Sequence, residues 1–194
     1  MNLNELRDKA YRNAVAYGFH DKELSNEHCL CLVISELMEA VEADRKGRFA
    51  KVPVDKKGTI FDERTFHYQN KYFAENFEAY IKDRVEDELA DAVIRLFDLA
   101  GLRNINLNSA LKDLENSIDD MAEACKDETF VETVYAIATL PARYDGLYDF
   151  ATSVNDMILS IFGLANHLGI DLLWYINKKM RYNELRGNKH GKRY

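Results

Sequence analysis

The sequence predicts an all-α fold, a bundle of packed helices, and three observations predict it. The 194 residues include only two prolines, Pro53 and Pro141, and proline is the residue that most reliably interrupts a helix. Long stretches carry apolar residues on one helical face, at spacings of three and four. Apolar residues make up 47% of the chain, enough to fill the seams between such helices. The length suits one large or two small domains, and residues 1–194 read as a single all-α domain.

Each element has its own signal. Residues 2–17 form a first helix with Leu3, Leu6, Ala10, Ala14 and Tyr17 as its apolar stripe. Ser25 or Asn26 can cap a second helix over about 26–46. Its interior, CLCLVISELMEAVEA, is apolar on nearly every side, which predicts a central position in the bundle. Lys46-Gly47 ends it. Residues 47–65 break the pattern. Val52, Val54, Ile60 and Phe61 flank Asp55-Lys56-Lys57-Gly58 there, as in a short hairpin or an ordered loop. A third helical region covers about 65–101, with an interruption near residue 82. Its later part, RVEDELADAVIRLFDLAG, is strongly amphipathic, and Gly101 is a plausible stop. Residues 108–126 and 129–140 read as two more helices, and Arg143-Tyr144-Asp145-Gly146 as a turn. Residues 147–167 form another amphipathic helix. A last helix covers about 171–185, and the chain beyond it is frayed or pinned by a ligand.

The chain also repeats itself. Residues 88–107 align without gaps to 153–172, at an offset of 65 and with six identities in twenty. Asp91 meets Asp156, Phe97 meets Phe162, and Ile105 and Leu107 meet Ile170 and Leu172. Coincidence between two amphipathic helices is the plain alternative, but the match runs on through the following turn. A true repeat makes the chain a fused pseudo-dimer, with a metal-binding half at 26–107 and a second half at 108–194. Glu88 meets Ser153, so the second half lacks a full acidic doublet.

Charge narrows the function classes. The net charge is −7, but residues 178–194 hold seven of the 26 Lys and Arg and only one of the 33 acids, Glu184. The remainder is strongly acidic and a poor general nucleic-acid binder. A short basic segment beside it suits a small polyphosphate. No apolar run reaches the roughly 18 residues of a membrane span, and the polar N-terminus lacks a signal core. The expected location is the cytoplasm, where Cys29, Cys31 and Cys125 would be reduced thiols serving as small buried apolar side chains.

The chemistry is carried by two acidic doublets, Glu36-x-x-Glu39 and Glu88-x-x-Asp91. A spacing of three puts both carboxylates of a doublet on one helix face. Glu36 and Glu39 share theirs with Cys29, Leu32, Ala40 and Ala43, so they do not read as a solvated face, and buried carboxylates need a cation. Acidic pairs at this spacing also recur by chance, as in Glu75/Glu78. Two such helices side by side would gather four carboxylates. All-carboxylate ligation favours Mg²⁺, with Mn²⁺ able to substitute, over zinc. Such a site suits hydrolysis at phosphorus, with Glu36 or Glu39 as general base.

These residues resemble the MazG-like branch of the all-α NTP pyrophosphohydrolases, the superfamily that also holds the dimeric dUTPases. The family pattern is an ExxE helix followed by an ExxD helix, here SELMEAVEA and EDELADAVIRLFDLAG, with a tail that here reads INKKMRYNELRGNKHGKRY. The resemblance covers the helices at 26–46 and 83–107 and the tail from about 171. It implies Glu36, Glu39, Glu88 and Asp91 as Mg²⁺ ligands, and Lys179, Asn183, Arg186, His190 and Lys192 as contacts to the phosphates or nucleotide. The implied activity is cleavage of a nucleoside triphosphate between the α and β phosphates, in a homodimer. Two departures stand out: the long link at 47–82, and a chain nearly twice the length of a minimal domain of this kind. A helical nucleotide sensor or adaptor that keeps the fold without catalysis is the reading from another class. Glu42 and Asp98 are further carboxylate candidates, and Trp174 is a base-stacking or core residue. Neither a GxxxxGK[ST] phosphate loop nor a GxSxG motif occurs, which argues against a P-loop NTPase and an elbow-type serine hydrolase.

Overall fold

The computed structural model describes residues 2–52, 61, 68–107, 114–140 and 149–187. These form eight helices: α1 (Leu3–Ala16), α2 (Asn26–Arg45), α3 (Tyr68–Tyr80), α4 (Val85–Leu102), α5 (Leu114–Ala124), α6 (Phe130–Thr139), α7 (Phe150–His167) and α8 (Leu172–Glu184). Among the described residues there is no strand. Of the hairpin or loop expected over 47–65, only 47–52 and the buried Phe61 are among the described residues, and the turn expected at 143–146 lies outside them.

Capping sets several boundaries. The Asn2 side chain accepts from the Glu5 N–H, that of Ser25 from His28, and that of Asp171 from Trp174. Each satisfies one of the amide groups a helix start leaves unpaired. Thr129 and Glu132 form a reciprocal capping box at α6. The interruption expected near 82 falls at 81–84, where Asp83 takes a left-handed conformation (φ 58°). It reverses the chain without a glycine, as Asn and Asp can.

Helix α4 is the axis of the molecule. It packs against α2, α1, α8 and α7, and twelve of its 18 residues are buried. Because it is covered on most sides, its Glu86, Asp87 and Glu88 are buried, while Asp91, Arg95 and Asp98 are half-buried. A Cβ at Gly101 would collide with Tyr11 of α1, and one at Gly163 with Met121 of α5. Both glycines therefore let neighbouring helices approach closely.

The stop after α4 recurs after α7. Asn104 (φ 53°) and Gly169 (φ 69°) are 65 positions apart. In each stop the following isoleucine N–H reaches back five residues, Ile105 to Ala100 and Ile170 to Ala165, both at 2.8 Å. This is the Schellman geometry, and it carries the sequence match into backbone conformation.

Cys29 and Cys125 are buried as expected, whereas Cys31 is exposed on the outer face of α2. Among the described residues no single helix is long and apolar enough to cross a membrane; α7 and α8 pass only as a pair bent by 113°.

Candidate metal centre

The site begins where α4 begins. Its first turn carries Glu86, Asp87 and Glu88. Acids are favoured at a helix N-terminus, but these three are buried, so each needs its own account. Glu86 accepts the Ala50 N–H at 2.7 Å, and the Val85 N–H donates to the Arg48 carbonyl at 3.1 Å. Together these dock residues 48–50 on the helix start. Asp87 is 1% exposed. One of its oxygens accepts the Asp83 N–H at 3.0 Å, and the other accepts from the Lys179 ammonium at 2.7 Å. Lys179 also reaches Asp91 Oδ2 at 2.7 Å. Burial works against the ammonium charge, but Asp91 and Asp87 outweigh it and raise the Lys179 pKa.

Beside this bridge, single carboxylate oxygens of Glu36, Glu88 and Asp91 lie within 4.8 Å of one another. Glu36 reaches the cluster from α2 and is 4% exposed. Its Oε1 accepts from Arg95 Nε at 3.1 Å and Nη2 at 3.0 Å. Glu88 is equally buried and, among the described residues, has no hydrogen-bond or ion-pair partner. Burial, then the charges of Asp87 and Asp91, push its carboxyl up to about 9, against the pull of Lys179 and with a small addition from Glu39. A buried carboxyl without a partner costs stability. The all-oxygen donor set of Glu36, Glu88 and Asp91 fits a hard divalent cation such as Mg²⁺ or Mn²⁺.

The fourth predicted ligand sits differently. Glu39 is exposed on α2, with the Ser35 hydroxyl 3.5 Å away. It flanks the cluster closely enough to influence Glu88 but is not among the three converging carboxylates. The expectation that both acids of the first doublet are buried thus holds for Glu36 and is corrected for Glu39. Glu42, a turn further on, is exposed and paired with Lys46 at 2.6 Å. Asp98 Oδ1 pairs with His20 Nε2 at 2.7 Å, one turn beyond Arg95 and outside the cluster.

A cavity of about 60 Å³ adjoins the carboxylates. Asp91 and Arg95 of α4 form one wall, Ala14 and Phe19 a second, and Asn183 and Arg186 the third. Asn183 is 7% exposed, and its buried Oδ1 has no hydrogen-bond partner among the described residues. The Arg186 guanidinium lies 5.7 Å from the Tyr182 ring centre, and that of Arg95 lies 6.0 Å from the Phe19 ring centre. Of the predicted phosphate contacts, Asn183 and Arg186 face this cavity. Lys179 is instead buried among carboxylates, and His190 and Lys192 lie outside the described residues. Trp174 packs edge-on against Phe61 and Tyr175, in the aromatic layer between α3 and α8.

Two residues of this site have no assigned role in the sequence reading, Asp87 and Arg95. Each stands four positions from Asp91, so each shares its face. That spacing was the available signal.

Comparison with protein-family models, curated proteins and solved structures finds no match to this chain.

Proposed function

We propose that the chain is a divalent-metal-dependent nucleoside triphosphate pyrophosphohydrolase, releasing a nucleoside monophosphate and pyrophosphate. The observation that carries this reading is the convergence of Glu36, Glu88 and Asp91 beside a cavity lined by Arg95, Asn183 and Arg186. Carboxylates with cationic and amide donors beyond them match what a metal-complexed polyphosphate needs at its two ends. Glu36, Glu88 and Asp91 would hold the ion, with Glu39 at their edge. When bound, Mg²⁺ or Mn²⁺ supplies charge neutralisation to the phosphates and acidifies water.

The chain's own residues do the rest. Arg186 and Asn183 bind and orient the polyphosphate, Arg186 by charge and Asn183 by hydrogen bonding. Arg95 holds Glu36 in a fixed orientation, and ligands held this way keep their geometry. Glu39, exposed and not ion-paired among the described residues, takes the proton of the attacking water. The water oxygen bonds to phosphorus while the bond between that phosphorus and the α–β bridging oxygen breaks.

The test is product analysis. Purified protein is incubated with a panel of NTPs and dNTPs, in Mg²⁺ and in EDTA, and monophosphate, diphosphate, pyrophosphate and phosphate are resolved. Mg²⁺-dependent monophosphate plus pyrophosphate is expected. Diphosphate plus phosphate would assign a different phosphohydrolase. Nucleotide binding without product would favour the sensor.

A further inference from the structure

We propose that Asp98, held by His20, reads the base of the bound nucleotide and selects guanine. The inference rests on the nucleotide site of the proposed function and names its substrate class. Three observations carry it.

The first is position. A second cavity, of about 30 Å³, shares Phe19, Arg95 and Asp98 with the one beside the carboxylates, and Leu24, His28, Cys29 and Leu32 complete its lining. Leu32 and Cys29 stand one and two turns before Glu36 on α2, and Asp98 stands two turns after Asp91 on α4. The second cavity therefore lies about 10 Å along these helices from the cation cluster, far enough for a ribose to stand between metal-bound phosphates and a base. The opening is small, so it takes the edge of a planar ring and not a whole nucleoside.

The second is a fixed acceptor. Asp98 Oδ1 lies 2.7 Å from His20 Nε2. The His20 side chain is 7% exposed, and its buried Nδ1 has no hydrogen-bond partner among the described residues. Buried N–H groups without an acceptor are rare, so the ring proton belongs on Nε2 and is donated to Asp98. Asp98 receives it as a carboxylate, which accepts hydrogen bonds and donates none. His20 takes one of its roughly four acceptor positions. Among the described residues Asp98 has no other hydrogen-bond or ion-pair partner, and it lines both cavities.

The third is complementarity. Guanine presents a ring N–H and an amino group side by side, two donors that one carboxylate takes together, as it takes a guanidinium. Uracil and thymine present a single N–H between two carbonyls. Adenine and cytosine set an amino group beside a bare ring nitrogen. An acceptor-only wall leaves those extra lone pairs facing a negative charge. Leu24, Leu32 and the Phe19 ring supply the apolar surface that the faces of a base need. The charge of Asp98 also repels phosphate, which turns the nucleotide with its phosphates toward the cation and its base toward Asp98.

The experiment is calorimetric titration of the full chain with GMP, IMP, AMP, CMP and UMP, to millimolar concentration, in Mg²⁺ and in EDTA. Monophosphates probe the base site without being cleaved. GMP should bind tightest, and at least about tenfold tighter than IMP, which lacks only the 2-amino group; that is the factor a hydrogen bond to a charged group carries. Asp98→Asn keeps the shape and loses the second acceptor, and should bring GMP and IMP within about twofold. If it does not fold, Asp98→Ala carries the same expectation. Leu32→Phe fills the second cavity and should weaken GMP binding while leaving Mn²⁺ binding unchanged. Equal affinity for GMP and IMP in the wild type, or no bound monophosphate, would overturn the inference. A preference that survives in a folded Asp98 variant, or GMP affinity untouched by Leu32→Phe, would overturn it as well. Product analysis separates this from the proposed reaction. Pyrophosphate release without a guanine preference leaves the reaction standing and removes the base site. Asp98-dependent GMP binding without pyrophosphate release does the reverse.

Discussion

Glu88 makes the site sensitive to pH. Its carboxyl is raised from 4.5 to about 9, chiefly by burial and then by Asp87 and Asp91. Between those two values the folded state keeps a proton that the unfolded state releases. Stability of the metal-free protein must then fall as pH rises from 4.5 to 9, by up to about 1.4 kcal/mol per pH unit from this group. Thermal melts from pH 5 to pH 9 in EDTA should show a declining Tm. Glu88→Gln should flatten the decline while abolishing Mn²⁺ binding; an unchanged slope would mean that Glu88 is ionised in the fold. Arg95 poses the complementary case. Its loss leaves Glu36, 5% exposed at the side chain, without the donor that Arg95 supplies. Arg95→Met should cost about 3 kcal/mol, the low end for a broken buried pair because Arg95 is partly exposed, and Mg²⁺ should restore part of it in denaturant titrations. Catalysis separates two further acids. Glu39→Gln should reduce turnover by at least the roughly hundredfold that a general base contributes, with Mn²⁺ stoichiometry intact, because it is not among the converging carboxylates. Asp91→Asn should lose both turnover and the ion, with helical circular dichroism retained in both variants.

At the scale of elements, close helix contact is the feature most exposed to single substitutions. A Cβ at Gly101 would meet the Cβ and Cγ of Tyr11, atoms near the backbone that cannot step aside unless α1 moves. Gly101→Ala should therefore destabilise by about 1–3 kcal/mol, despite alanine's better helix propensity. Tyr11→Ala should recover much of the loss in the double variant, a coupling that a double-mutant cycle measures. This contact also marks where sequence reading stops. Helix positions were legible because the apolar period and the caps are local: Ser25 and the Lys46-Gly47 end bracket α2, and the left-handed Asp83 falls where the pattern faltered. Gly101 read as a stop, whereas α4 continues to Leu102 and turns at Asn104. The glycine serves packing, which no local signal reports. The same limit applied to the site. Glu36, Glu88 and Asp91 were legible from spacing and apolar neighbours. The bond between Lys179 and Asp87 joins residues 92 positions apart, and basic residues clustered in a tail read as solvent-facing until packing shows otherwise. The exposure of Glu39 was not legible because its partner three positions earlier, Glu36, is buried, and one turn of α2 is enough to carry a side chain to the surface.

For the molecule as a whole, the cavity exists because three distant segments are held together: α1 with the loop behind it, α4, and the end of α8. The packing of α4 fixes one wall, but the α8 end has few buried neighbours past Asn183. Its anchor is the Tyr17 hydroxyl, which donates to the Glu184 carbonyl at 2.5 Å, with Lys9 near the Glu184 carboxylate at 3.5 Å. The Lys9 pair is exposed on both sides and contributes little in water. The hydroxyl bond is thus the stronger of these two ties between the end of the first helix and the segment that carries Asn183 and Arg186. Tyr17→Phe removes that bond and keeps the ring. A single intramolecular hydrogen bond is worth about 0.5–1.5 kcal/mol, so the α8 end should spend more time away from the cavity. If Arg186 binds the polyphosphate there, KM should rise by about two- to twelvefold, the factor that this energy corresponds to. The metal-binding carboxylates lie on α2 and α4, away from this tie, so kcat and Mn²⁺ stoichiometry should not change. Arg186→Ala should raise KM further, and adding Tyr17→Phe to it should then have little additional effect. Independent, additive increases in KM would mean that Tyr17 acts on substrate by some route other than the position of Arg186.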